Sequence, residues 1–211
     1  MEGMLQRLAA RLVSKPWIYD LVQRAAGRAE VVARVRAILP HVAGRRVLDV
    51  GSAGGGLATV LGLDPVSLDV DARSVLSVRR RKPSAAALVG DASRLPFPDR
   101  YFDLSLCADI SHHLPEPVWR EALSELRRVT RGTLLFLDAV RDDKRLISQL
   151  LWRYDRGRFP RRRDDILEAI GREFRVRSVD DFSVYHRYLL CTATPDSSPA
   201  SRPSATQSSA T

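Results

Sequence analysis

The sequence predicts an α/β fold: a doubly wound, seven-stranded, mostly parallel sheet with an antiparallel hairpin at one edge. Three observations carry it. Apolar runs of strand length alternate with helical patterns, the rhythm of consecutive βαβ units. Several of the runs, Leu134-Leu135-Phe136-Leu137 among them, are apolar on both faces and so need cover on both sides. The last two runs follow one another closely enough to pair as a hairpin.

Taken in order, residues 1–45 form an N-terminal helical segment. Within it Leu5, Leu8 and Leu12 recur at helical spacing beside Arg7, Arg11 and Lys15, so this helix either packs as a lid or lies on an anionic membrane surface. The strands are predicted at 46–50, 66–70, 86–89, 102–108 and 133–140. Between them GGLATVL, ARSVLSVRRRK and PVWREALSELRRV supply helices, the last with Val118, Ala122, Leu126 and Val129 on one face. A basic, aromatic, helical insertion follows the fifth strand, then the helix DDILEAIGREF. FRVRSV and SVYHRYLLCTAT close the sheet as the hairpin. One domain therefore runs over 1–194, with parts at 1–45, 46–140 and 141–194. Residues 195–211, rich in Ser, Thr, Ala and Pro, cannot bury apolar surface and read as a disordered tail.

Hydrophobic residues at 45% and charged residues at 28% argue against a fibrous or wholly disordered chain. Cys107 and Cys191 are too few for a disulfide scaffold or a four-cysteine zinc site, so no metal is expected and a reducing, cytoplasmic home fits. No run nears the roughly 18 apolar residues of a membrane span, and the N-terminus is too interrupted by charge for a secretory signal. The net charge of +9 is unevenly placed. Residues 46–140 hold 12 basic and 12 acidic groups, whereas 1–45 hold 8 against 3 and 141–177 hold 12 against 7. The two flanks therefore face something anionic, unless they merely reflect an arginine-rich coding bias.

The segment Val47-Leu48-Asp49-Val50-Gly51-Ser52-Ala53-Gly54-Gly55-Gly56 runs from a strand through a glycine cluster into a helix. Such glycines let backbone approach a ligand closely, and the helix start offers free N–H groups, which implies a nucleotide-like ligand. Asp69, 18 residues beyond Gly51, falls at the end of the second strand, where this architecture places a carboxylate for ribose hydroxyls. Asp49 precedes the glycines, which weakens a dinucleotide-dehydrogenase reading, and no Gly-Lys-Ser/Thr follows to make a Walker loop.

From Arg46 to Val140 the chain resembles a class I S-adenosylmethionine-dependent methyltransferase of the small-molecule type, a Rossmann-like fold. VLDVGSAGGG resembles the family's acidic glycine loop, LDVDARSV the second-strand motif, GDASRLPFPDRYFDL the third and SLCADISHHLPEP the fourth. The resemblance implies S-adenosyl-L-methionine as cofactor. It implies that Asp49, Gly51, Ser52, Ala53 and Gly55 shape the pocket for the methionine half and that Asp69 and Val70 meet the ribose side, with Asp71 in reserve. Asp91 and Ala92 would meet the adenine, and Ala108 the methionine moiety. Two departures stand out: Ala53 occupies the second glycine position of the loop, and Thr130-Arg131-Gly132 replaces the usual turn before the fifth strand.

Methyl transfer is a direct displacement, so alignment in a dry site supplies most of the rate and a general base is optional. His112 and His113, just beyond the fourth strand, are candidates for that base if the acceptor is a hydroxyl, with Asp109 a second acid/base candidate. The alternative is that a histidine caps the helix beginning near Pro115. The Asn/Asp-Pro-Pro-Tyr motif of many amino-directed enzymes is absent, which lowers nucleobase methylation. Trp152, Tyr154, Arg153, Arg156 and Arg158 in the insertion could wall an acceptor pocket for a carboxylate or phosphate, together with His186 and Tyr188; strand alternation puts Tyr185 on the opposite face. The expected partner is a small-molecule acceptor, acidic or lipid-linked, with peripheral membrane contact an option. Nucleic acid ranks lower because no RNA-binding module is evident, and a non-catalytic partner that keeps the fold is the third reading.

Overall fold

The computed structural model describes residues 28–39, 42, 44–52, 56–141, 158–184 and 186–196. The elements are α1 (Arg28–Ile38), β1 (Val47–Val50), α2 (Gly56–Leu61), β2 (Val66–Asp69), α3 (Ala72–Arg81), β3 (Ala87–Val89) and β4 (Phe102–Ala108). A 3-10 turn (Ser111–His113), α4 (Glu116–Val129), β5 (Thr130–Val140), α5 (Arg163–Glu173), β6 (Phe174–Ser183) and β7 (Arg187–Pro195) complete them. The N-terminal helix at Leu5–Leu12, most of the insertion and most of the tail lie outside the described residues.

All seven strands join one sheet in the order β3-β2-β1-β4-β5-β7-β6. Pairing is parallel from β3 to β5 and antiparallel where β7 meets β5 and β6. The predicted hairpin is therefore present, with β7 inside and β6 on the edge. Strand order reverses between β1 and β4, and in open α/β sheets the ligand crevice lies outside the carboxyl ends of the strands at that reversal.

Burial on both faces explains the continuous apolar strands. Along β5, Leu134, Phe136 and Val140 enter one core with Trp119, Leu123 and Leu126 of α4 and Ile166 and Ile170 of α5. Leu135 and Leu137 enter the opposite core with Val35 of α1 and Ala58 of α2. On α4 the buried face is centred on Trp119, Ala122, Leu123, Leu126 and Val129, while Val118 is only half-buried. The expected stripe thus holds at Ala122, Leu126 and Val129, with Trp119 and Leu123 in place of Val118, because the indole fills more of the space beneath the helix than a valine would.

Thr130-Arg131-Gly132 is the first part of β5 rather than a turn before it, so α4 passes directly into strand. Gly132 explains the tolerance: a Cβ there would collide with the Asp103 carbonyl oxygen across the bulge between β4 and β5. Asp103 pins this corner, accepting hydrogen bonds from the Arg46 backbone at 3.0 Å and Arg131 Nε at 2.7 Å.

Candidate cofactor and acceptor site

The β1–α2 turn is set by Gly51. Its φ of +70° is costly for any residue with a Cβ, and a Cβ would meet Ile110 Cδ1 at 2.5 Å, so the turn packs directly under the segment after β4. The Gly51 N–H donates to Leu68 O at 2.8 Å, drawing the turn across β2. Ser52 beside it is buried, and its Oγ has no hydrogen-bond partner among the described residues.

Asp49 and Asp69 stand on neighbouring strands and are both buried, at 4% and 8% exposure. Burial, and then the charge of Asp69, push the Asp49 carboxyl up to about 7. Asp69 Oδ1 accepts from the Asp71 backbone at 2.9 Å, which fixes its carboxylate at the strand end. Asp71 is occupied as the cap of α3, its Oδ1 accepting from Arg73 N at 2.9 Å, so Asp69 is the better placed of the two for a ribose. Val70 and Val89, just past β2 and within β3, are 77% and 57% exposed and offer apolar side chains to a flat group. Asp91 is exposed, its Oδ1 accepting from Ser93 N and Oγ, and Ala92 is buried beside it. Ala108 closes β4, half-buried. Ala53 and Gly55 lie outside the described residues.

This donor set fits S-adenosylmethionine. Asp49, Asp69, Asp71, Asp91 and Asp109 all fall at or just beyond the carboxyl ends of β1 to β4. Carboxylates accept from a diol, an amino group or an ammonium and favour a sulfonium, whereas a pyrophosphate would meet repulsion there. The orphaned Ser52 Oγ supplies one more polar atom in the turn that a ligand would complete.

Beyond β4 the structure assembles a cluster that sequence reasoning saw only in part. Asp138, fully buried within the apolar run of β5, accepts from Ser111 N at 2.8 Å and Ser111 Oγ at 2.6 Å, and His112 Nδ1 lies 2.6 Å from its other oxygen. His112 is buried and His113 exposed, their rings 4.2 Å apart between centroids. Neither caps α4, whose N-cap is Pro115. Asp109 is exposed with φ +53°, a strained conformation for a non-glycine directly after β4. The one sequence signal for the cluster was a lone carboxylate inside LLFLDAV.

His186 is brought to the same edge of the sheet, since β7 begins opposite the end of β5, Arg187 pairing with Val140. It is buried against Tyr188, edge to face at 6.4 Å, and Tyr188 stacks on Phe182. Trp152, Tyr154 and Arg156, like Tyr185, lie outside the described residues. Cys107 and Cys191 flank Phe136 across β4, β5 and β7, and burial raises both thiols, Cys191 to about 12, so neither is a nucleophile. Among the described residues no group of histidine, cysteine and carboxylate side chains could hold a metal ion, and no helix is long and apolar enough to cross a membrane.

Comparison with known proteins agrees with this geometry. Residues 48–136 match the family described as "Methyltransferase domain". The chain is 38% identical over 94 residues to a demethylmenaquinone methyltransferase of Renibacterium salmoninarum, a match covering 43% of this chain and 38% of that protein. It is 38% identical over 107 residues to a fatty-acid O-methyltransferase of Mycolicibacterium smegmatis, covering 46% and 38%. The chain thus spans well under half the length of these curated relatives. Among solved structures, a protein of Pyrococcus horikoshii aligns with TM-score 0.68 at 18% identity, covering 82% of this chain and 92% of that one. A SAM-dependent methyltransferase of Methanosarcina mazei aligns at 0.62 with 14% identity, covering 72% and 92%. These structural likenesses establish the fold. Residues 48–136 thus match the methyltransferase-domain family, and the fold around them is the one these solved structures share.

Proposed function

We propose that this chain moves a methyl group from S-adenosylmethionine to oxygen of a small-molecule or lipid-linked acceptor. The observation that carries the cofactor half is the pair of buried carboxylates, Asp49 and Asp69, at the strand-order reversal beside the Ser52 hydroxyl. When bound there, the cofactor supplies an activated methyl on a cationic sulfur. Asp69 holds the ribose diol, Asp49 faces the cationic methionine half, Val70 and Val89 cover the adenine, and Asp91 and Ala92 meet its edge.

The acceptor half is supported by His112 and Asp138. An acceptor-only carboxylate makes His112 Nδ1 the donor of their bond, which leaves Nε2 as the basic nitrogen for an acceptor hydroxyl. His113 and Asp109 flank this position on the exposed side. Arg141, Arg158 and Arg162, all exposed, lie around the ends of β5 and α5 and suit an acidic acceptor. The name of one relative, a fatty-acid O-methyltransferase, agrees with an acidic acceptor methylated at oxygen, and that of another, a demethylmenaquinone methyltransferase, agrees with a small-molecule one.

Calorimetric titration of S-adenosylmethionine and S-adenosylhomocysteine tests the cofactor half. Asp69→Ala is expected to weaken both by about 1–3 kcal/mol, the range for losing a buried hydrogen-bonding partner. Undiminished binding by the variant, or no binding by the wild type, overturns the assignment. Transfer of a labelled methyl to a panel of fatty acids, hydroquinones and RNA then separates the acceptor classes; labelling of RNA alone would overturn the small-molecule reading.

A further inference from the structure

The turn that carries His112 is held from two sides. From the sheet, Asp138 takes the Ser111 N–H, the Ser111 hydroxyl and His112 Nδ1. From the other side comes Arg161, a buried arginine from the segment leading into α5. Its Nη1 donates to the Ser111 carbonyl and, at 3.3 Å, to the Phe159 carbonyl, and its Nη2 donates to Leu114 O at 2.8 Å and reaches Glu116 Oε2 at 3.3 Å. The guanidinium stands 5.6 Å from the centre of the Trp119 ring.

Backbone bonds tie the same pieces together. Phe159 N donates to the His112 carbonyl at 3.0 Å, and Arg141 N donates to the Arg161 carbonyl at 2.8 Å. The segment 159–161 thus bridges the end of β5 and the turn after β4. A guanidinium has donors pointing in a fixed fork, so one side chain can span the Ser111 and Leu114 carbonyls at the two ends of the turn, which an ammonium cannot do as well. Burying this charge is tolerable only because four acceptors surround it; an arginine needed merely for solubility would have stayed outside.

We propose that Arg161 is a positioning residue for His112: it clamps the Ser111–Leu114 turn against Asp138 and so locks the imidazole in the Nδ1-protonated tautomer. This rests on the reading of His112 as the base that takes the acceptor proton. Without the clamp the turn loses two of its carbonyl partners, the ring swings off Asp138, and Nε2 takes the proton, as in a free histidine. The base then carries a proton where it should accept one.

The chain has four histidines, so nitrogen-15 NMR of histidine-labelled protein can follow each ring, with His112 assigned through His112→Gln. In the wild type at pH 8 His112 is expected as a single Nδ1-protonated tautomer with a far-downfield Nδ1 proton. In Arg161→Met the expected result is loss of that proton signal and a shift to a mixture dominated by Nε2–H. Arg161→Lys should give an intermediate population, and Asp138→Asn marks the fully released ring. If Arg161→Met fails to fold, Arg161→Gln carries the same comparison.

S-adenosylhomocysteine affinity, measured in the same samples, should stay within about twofold of wild type, because Arg161 lies outside the carboxylates that hold the cofactor. An unchanged His112 tautomer in the folded variants overturns the proposal even if cofactor binds. Conversely, a wild type that shows the locked tautomer, loses it in Arg161→Met and binds no cofactor would sustain the clamp and sink the methyl-transfer reading.

Discussion

Asp49 offers a test in which sign and size both come from the structure. Its carboxyl is 4% exposed and is raised by burial, and then by Asp69, from an ordinary 3.8 to about 7. From 3.8 to about 7 is roughly three units, or ~4 kcal/mol against the ionised form in the folded protein. Because the folded value exceeds the unfolded one, this group's contribution is fully favourable below about pH 4 and is lost as pH rises through 7; ~3 kcal/mol of the loss falls between pH 5 and pH 8. Asp49→Asn removes the titration while keeping the shape. Urea unfolding of both proteins at pH 5, 6, 7 and 8 should therefore show the variant gaining ~3 kcal/mol on the wild type across that range. A difference that stays flat with pH would refute the reasoning.

The same carboxylate should discriminate between cofactor and product. S-adenosylmethionine carries a sulfonium charge that S-adenosylhomocysteine lacks, so the former gains more from an ionised Asp49. With a free-protein value of about 7, the ratio of their affinities should rise up to about tenfold between pH 6 and pH 8, with proton release on binding the cofactor, and Asp49→Asn should abolish both effects. Titration in buffers of different ionisation enthalpy reads the released proton directly.

The remaining expectations concern packing. Trp119→Ala should cost about 3–5 kcal/mol in urea unfolding, because the indole is wholly buried 5.7 Å from Phe136. Trp119→Phe should cost well under half of that, since the indole N–H has no partner among the described residues to lose. Gly51→Ala should lose ~1–2 kcal/mol to the left-handed backbone alone, plus the clash with Ile110; thermal melting of Gly51→Ala combined with Ile110→Ala should recover the clash and not the backbone cost. Gly132→Ala should destabilise through backbone, with no single side chain whose truncation rescues it, because the obstacle is the Asp103 carbonyl.

What the sequence disclosed follows from the range of the interactions involved. Strand-length apolar runs and helical periodicity report burial directly, so β4 was found at its observed bounds of Phe102–Ala108 and the hairpin at its observed edge. The residues proposed to hold the cofactor could be named from sequence because they share short segments: Asp49 and Gly51 are two positions apart, and Asp69 ends the next strand. The cluster around His112 was not legible, because its members pair across 26 residues between His112 and Asp138 and across 50 between Ser111 and Arg161. Arg161 stands in Arg161-Arg162-Arg163, and nothing local marks which of the three turns inward. Thr130-Arg131-Gly132 reads as a turn from sequence because it stands where the resembling family has one, and the reason for its glycine is a close approach by β4 that only tertiary structure reveals.

The charge count also meant something different once folded. Residues 46–140 are neutral as a sum, yet Asp49, Asp69, Asp71, Asp91 and Asp109 stand at or just beyond the carboxyl ends of β1 to β4. Each helix of this half runs back from the carboxyl edge, and the two longer ones end in arginines, Arg79 to Arg81 on α3 and Arg127 and Arg128 on α4, which complement the helix dipoles at the amino edge. The acids that follow strands are thereby left at the opposite edge, over β1 to β4, while among the described residues Arg141 follows β5 and Arg158 and Arg162 precede α5. On the proposed reading, a cationic methyl donor and an acidic acceptor would be drawn to adjacent halves of one edge by the same winding rule that covers the sheet. The polarity of the site is thus a consequence of βαβ topology with arginine-terminated helices, and reversing it would require moving charges on elements that never touch either ligand.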